Sequence, residues 1–358
     1  MKEIISSKQS IALVIAVILD GAMVFATAAE GGRDSWISII IAISISFILF
    51  MLYCKINTLF PEKDLYTINR EAMGKILGNT INILYVWYFL HIGSLTLRDF
   101  GEFMSVLTMP EVPRITITLL STITAVYMVK KGCEVIGRFA LFASISTLII
   151  LVVLSSLLLS KVDIRKILPI MARGISPVLL GSWSAITFPF GECVLFTVIF
   201  ANVNNRKALR KGYFVGLVLG GAFLLLITFL EVSVLSEKAI GFLYFPFYTL
   251  LSRIRVGEFI QRLEIIGGVI LNIFGMIKIS LCLYAASLGI SRLLKIDNYK
   301  ILCLPVGMIL LNLSDILYED VMSLVSWTIK YYKYYALPFQ VFFPILIIII
   351  VKIKKLTA

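Results

Sequence analysis

Three ionisable residues, Asp20, Glu192 and Lys278, stand inside otherwise apolar runs of this chain. A charge at the depth of a bilayer is costly, so each must meet a partner, a cavity or a ligand, or lose its charge. Asp20 could meet a ligand ammonium or Lys278. Glu192 reads as a gating or ion-pair residue, and Lys278 either as a group in ion coupling or as the structural partner of Glu192 or Asp20. Ser280 and Tyr284 stand four apart and share a helical face, where their hydroxyls could bind a ligand or a neighbouring helix. His91, the sole histidine, could serve a ligand or a proton, or simply be hydrogen-bonded in the interior. Phe188 and Phe190 would restrict a pocket, or pack between helices.

The elements carrying these residues are membrane helices. Of 358 residues, 59% are apolar and 15% charged, against about 25% charged in ordinary globular chains. Apolar runs long enough to cross a bilayer recur along the whole length. This excludes a soluble enzyme, a secreted disulfide domain and a disordered tail. One histidine and five cysteines without CxxC spacing give no metal site and no disulfide framework. No cofactor is expected. The net charge of +12 is scattered through short loops rather than gathered on one face, so nucleic acid is not an expected partner. The first apolar run has no small-residue cleavage site after it and reads as a retained helix.

Hydropathy predicts an all-α polytopic membrane protein of ten transmembrane helices, near 9–29, 35–56, 80–108, 113–130, 137–160, 180–202, 212–235, 259–291, 300–317 and 337–353. All belong to a single transmembrane domain over 1–358, with no soluble domain. Alternate loops hold nineteen against eleven Lys and Arg, which predicts both termini in the cytoplasm. Segment 1 carries Asp20-Gly21 and segment 6 carries Phe188-Pro189-Phe190-Gly191-Glu192, both mid-span. Gly and Pro loosen the helical ladder, and paired breaks in the opening helices of two halves predict a 5+5 inverted repeat with broken helices 1 and 6. The repeats would span about 9–160 and 180–353. Backbone groups freed at Gly21 and Ala22, and from Phe188 through Pro189 and Phe190 to Gly191, would face a small zwitterion at the midplane. The outer stretch Tyr244-Phe245-Pro246-Phe247-Tyr248 reads as a short interfacial helix over the pocket mouth or as an aromatic anchor.

Five motifs occur in order: Leu97-Arg98-Asp99-Phe100-Gly101-Glu102, Pro110-Glu111-Val112-Pro113, Lys131-Gly132-Cys133-Glu134-Val135-Ile136-Gly137-Arg138, Phe188-Pro189-Phe190-Gly191-Glu192 and Gln261-Arg262-Leu263-Glu264. As a set the chain resembles the B-subunit family of bacterial spore germinant receptors (the GerAB type of spore permease). That family lies within the amino acid–polyamine–organocation superfamily, whose fold is LeuT-like. The resemblance implies a ligand-binding subunit that senses a nutrient such as an amino acid and triggers germination. Its implied partners are a membrane A subunit and a lipoprotein C subunit in the inner spore membrane. It also permits Lys278 to stand in for a bound cation, although the superfamily's usual position for such a lysine is another helix. One departure is the stretch Asp20-Gly21-Ala22-Met23-Val24-Phe25-Ala26, with a single glycine and no proline where the family often has a Gly-x-Gly break and a proline. Helix 1 is accordingly expected to be less unwound.

Catalytic fingerprints such as GxSxG, HExxH and the P-loop have no plausible context here. The alternative to a receptor subunit is a free-standing proton-coupled amino-acid transporter of the same fold, which the fold alone does not separate from it.

Overall fold

The computed structural model describes residues 3–203, 205–240, 243–254 and 262–354; the side chains of Ala22 and Met23 are outside the description, as are Lys2, Arg255, Gln261 and Lys355. Helix α1 (Ser7–Val24) opens with a reciprocal cap in which Gln9 N donates to Ser6 Oγ and Ser6 N to Gln9 Oε1 at 2.8 Å. Leu13, Val14 and Ala16 through Leu19 are wholly buried. A helix apolar on every side belongs in the centre of a bundle, and α1 is the central helix here.

Around it run α2 (Ser35–Leu59), α3 (Leu65–Met73), α4 (Lys75–Phe103), α5 (Arg114–Lys131) and α6 (Cys133–Leu158). Then come α7 (Ile175–Thr187), α8 (Phe196–Ile199), α9 (Arg206–Leu230), α10 (Glu237–Ile240) and α11 (Pro246–Leu251). Next are α12 (Glu264–Leu294), α13 (Cys303–Ile316), α14 (Val321–Lys330), α15 (Tyr332–Tyr335) and α16 (Phe343–Ile353). The seam between α1 and α9 is set by Gly212, Gly216 and Gly220. A Cβ on Gly216 would lie 2.6 Å from Val14 Cβ, so only glycine lets the two backbones come this close.

Among the described residues, seven helical stretches are long and apolar enough to cross a bilayer. They are Ala29–Leu59, Lys75–Thr108, Cys133–Lys161, Ile175–Asn202, Arg206–Leu235, Glu264–Leu294 and Tyr332–Ile353. The other three segments read from hydropathy correspond to α1, with 18 residues, α5, with 18 including Arg114, Lys130 and Lys131, and α13, with 14. Ile48, Leu120, Phe142, Ile149 and Ile353 are exposed on the outer surface. A surface this apolar suits lipid, and the molecule is an integral membrane protein.

One end of the bundle is closed by Ile5 N donating to Asn202 O at 2.9 Å and by Glu3, whose carboxylate accepts from Cys133 N at 2.7 Å and Tyr299 OH at 2.8 Å. At the opposite end Glu237 takes Arg173 at 2.6 Å and Arg33 at 3.3 Å. Buried Arg98 there meets Glu102 at 2.8 Å, Glu102 meets Arg114 at 2.6 Å, and Arg114 meets Asp315 at 2.5 Å. Asp99 stays out of this network, and its Oδ1 is buried without a hydrogen-bond partner among the described residues.

Candidate ligand site

Asp20, Glu192 and Lys278 come from three distant segments and meet in the interior. Lys278 Nζ lies 2.8 Å from Glu192 Oε2 and 3.0 Å from Asp20 Oδ2, with all three side chains buried. The Phe188 ring centroid is 5.2 Å from the same ammonium, a cation–π contact strengthened by the burial of the Lys278 side chain. The triad holds two formal negative charges and one positive. Among the described residues Asp20 Oδ1 is buried with no hydrogen-bond partner, and it lies against Gly275, where an added Cβ would sit 3.4 Å from it.

The two interrupted segments differ. α7 ends at Thr187, Phe188 is extended (φ −138°, ψ 111°), and Phe190–Leu195 winds as a 3₁₀ turn before α8. Three carbonyls along this stretch accept from side chains of other helices. Gln340 Nε2 donates to Thr187 O at 2.9 Å, Tyr53 OH to Gly191 O at 3.3 Å, and Asn57 Nδ2 to Thr197 O at 3.1 Å. Neighbouring side chains thus satisfy part of the irregular backbone, as buried polar groups at this depth require. A Cβ on Gly191 would lie 2.1 Å from Gln340 Oε1, so Gly191 is a close-packing position rather than a surface offered to a ligand.

Segment 1 does not break at Asp20-Gly21. α1 continues through both residues to Val24 and leaves the helix at Phe25 (φ −120°, ψ 154°), and Ala29–Asp34 forms a 3₁₀ turn before α2. A Cβ on Gly21 would sit 3.0 Å from both Phe188 Cζ and Pro189 Cβ. Gly21 therefore makes room for the elbow of segment 6, and no backbone polarity is released there. Ala22 is helical, and its side chain lies outside the described set.

Above Phe188 is a cavity of about 40 Å³, lined by Phe25 through Glu30, Ser184, Thr187, Phe188, Thr328, Ile329, Tyr332 and Lys333. That holds a few waters. Phe188 faces the cavity and also covers Lys278. Tyr332, from α15, spans the two regions: it lines the cavity and donates to Glu192 Oε1 at 2.5 Å. Tyr88 lies 3.4 Å from the Tyr332 hydroxyl and accepts from Gln340 Nε2 at 2.8 Å. The cavity mouth is crossed by Lys333, whose Nζ is 3.1 Å from Glu30 Oε1; Ser184 Oγ donates to the same oxygen at 2.5 Å.

Sequence reasoning overlooked Tyr332, Lys333, Glu30, Gln340, Tyr88 and Tyr53. The run Tyr331-Tyr332-Lys333-Tyr334-Tyr335 was the available signal, being too aromatic for an ordinary loop. Four expected contacts lie elsewhere. Ser280 Oγ donates to Met276 O at 2.8 Å within its own helix, and Tyr284 OH accepts from Asn202 at 3.0 Å near the closed end. About 9 Å of helix rise separates Tyr284 from Lys278, too far to share a small ligand. His91 sits in an aromatic cage, 5.0 Å from the ring centroids of Trp327 and Tyr335, touching neither the triad nor the cavity. Phe190 is wholly buried in the core and does not line the cavity. The Phe245–Tyr248 stretch packs on Phe103 through α11, so α14 and α15, not α11, cover the cavity.

A family model described as spore germination protein matches residues 4–319. The chain is 31% identical to spore germination protein KB of Bacillus subtilis (strain 168) over 359 residues, covering 98% of this chain and 95% of that one. Spore germination protein GerQB of Bacillus cereus is 24% identical over 280 residues, 76% of this chain and 74% of that one. Among solved structures, MhsT in complex with L-phenylalanine superposes with a TM-score of 0.62 at 14% identity, covering 98% of this chain and 99% of that one. MHP1, a nucleobase-cation-symport-1 family transporter, gives a TM-score of 0.62 at 14% identity over 91% of this chain and 75% of that one. These structures share the LeuT-like transporter fold, and none of these relatives is an enzyme. By this match along nearly its whole length, the chain belongs to the spore permease family of spore germination proteins.

Proposed function

We propose that this chain is the ligand-binding membrane subunit of a spore germinant receptor that senses a small nutrient, an amino acid, at the midplane. It works with a membrane A subunit and a lipoprotein C subunit in the inner spore membrane, with both termini in the cytoplasm and ten crossings in two five-helix repeats. The observation that carries this reading is the buried triad with its surplus carboxylate. Among the described residues Asp20 Oδ1 has no hydrogen-bond partner, and one formal negative charge is uncompensated by Lys278. An ammonium-bearing ligand supplies what is missing. The carbonyl end of α1, ending at Val24, favours positive charge in the same region. Support from the fold comes from MhsT, solved with an amino acid bound.

A cavity of about 40 Å³ is too small for an amino acid, so this conformation is a closed one. Entry requires the Glu30–Lys333 pair to part and Phe188 to swing. A ligand that binds the opened form better shifts the population toward it, and that shift is the signal the partner subunits read.

The test is a thermal-unfolding screen of amino acids on the purified chain, followed by uptake in liposomes under an imposed proton gradient. Ligand-specific stabilisation without net accumulation is the expected result. Accumulation of labelled amino acid would replace the receptor reading with that of a proton-coupled transporter, in which Lys278, Asp20 and Glu192 carry the coupling.

A further inference from the structure

Basic residues at both ends of the bundle have carboxylate partners, Lys63, Arg138, Arg292 and Lys300 meeting Glu71, Glu134, Asp64 and Glu3 at the end where α2 stops. Arg33, Arg98, Arg114, Arg173 and Lys333 each have a carboxylate within reach. At the end where α2 stops and α9 starts, Lys55, Arg206 and Arg210 have no carboxylate or hydrogen-bond partner among the described residues. These three line one groove of about 570 Å³ between α2 and α9. That is within the ~300–1,000 Å³ of small-molecule sites. The first turn of α9 carries Arg206 and Lys207 and no acidic residue. Cations at a helix N-terminus oppose the macrodipole, and an anion placed there relieves both.

The groove also has a direction. Because α2 and α9 run antiparallel along this seam, its two sides change character together. Lys55 and Arg210 give way, one turn deeper, to Met51 and Phe214, both of which line the groove. Phe214 then stacks on Phe47 at 6.1 Å, and Met51 is exposed on the outer surface. A charged rim leading directly onto a lipid-facing apolar strip matches a molecule with an anionic head and an acyl tail. A free phosphate or a nucleotide would use the rim and leave the strip uncovered.

We infer that this groove is a binding site for an anionic phospholipid, its phosphate held by Lys55, Arg206 and Arg210 and its acyl chain laid along Met51 and Phe214. Basic pockets between membrane helices take such headgroups by the same chemistry. The inference is independent of what the midplane site binds. It ties α2 to α9 through a lipid and makes the stability of that seam depend on bilayer composition.

The test uses the full chain in detergent, with dioleoyl phosphatidylglycerol, dioleoyl phosphatidylcholine and inorganic phosphate as probes, read by thermal unfolding and native mass spectrometry. Phosphatidylglycerol should stabilise the protein and stay bound, weakening as salt is raised. The double variant R206Q/R210Q should lose about tenfold in affinity for it. Lys55→Gln, which leaves the α9 terminus untouched, should lose less, and Arg165→Gln at the opposite end should lose nothing. Equal stabilisation by phosphatidylcholine, an equal shift from inorganic phosphate, undiminished binding by R206Q/R210Q and K55Q, or an equal loss in R165Q would each overturn it.

Discussion

The Tyr332 hydroxyl donates to Glu192 Oε1 at 2.5 Å, joining the segment that covers the cavity to the buried charge beneath it. Tyr332 and Phe188 pack edge to face at 5.8 Å, so the cover and the elbow of segment 6 move together. Tyr332→Phe should keep the packing and free one Glu192 oxygen. Ligand affinity should change while the unfolding temperature falls by only a few degrees, corresponding to about 1–2 kcal/mol for a lost bond to a charged group. Unaltered binding in a titration would separate the cover from the site.

Removing members of the triad should not be equivalent. Lys278→Met leaves two buried carboxylates without their cation and should cost about 3–5 kcal/mol. Asp20→Asn and Glu192→Gln each leave a one-to-one pair and should cost less. Thermal unfolding of the three variants, with D20N/K278M recovering part of the K278M loss, checks the order.

The Glu30–Lys333 pair closes the cavity mouth with side chains only partly buried. Glu30→Gln should favour the open form by about 1 kcal/mol, roughly fivefold in population. Faster ligand exchange with nearly unchanged unfolding is the expected signature, and the E30K/K333E exchange should restore part of the closure.

Glu231, just after α9, is buried with Oε1 lacking a hydrogen-bond partner among the described residues. An unsatisfied buried acid destabilises the fold, so Glu231→Gln should hold or raise the unfolding temperature. A clear fall would assign that carboxylate a partner in another conformation.

Gly216→Val should push α1 and α9 apart and cost about 2 kcal/mol or more, since overpacking at a tight seam strains both backbones. Val14→Ala should recover part of that in a double-mutant cycle, because the two positions touch.

The membrane class and the meeting of Asp20, Glu192 and Lys278 were legible because burying a lone charge in lipid leaves few alternatives. The interruption at segment 1 was misplaced because a glycine has two uses in a membrane helix. At Gly21 it admits Phe188 and Pro189; the chain leaves the helix four residues later, ahead of Gly31-Gly32, a pair the hydropathy reading passed over. Ser280 and Tyr284 share a face with each other, but α12 is buried on several sides, and helical spacing does not say which side meets the triad. Tyr332 and Gln340 could not be placed because their roles depend on how the chain folds back after α13. Sequence periodicity carries no information on that return path.

Tyr53 donates to both Gly191 O and Gln340 O, at 3.3 and 2.8 Å, and thereby rivets α2, the elbow of segment 6 and the chain entering α16 at one point. None of the three can rotate without dragging the others. Any alternation of access must therefore swing this riveted block as a single jaw against α12, and the triad, with Glu192 on the jaw and Lys278 opposite, becomes the latch between the two.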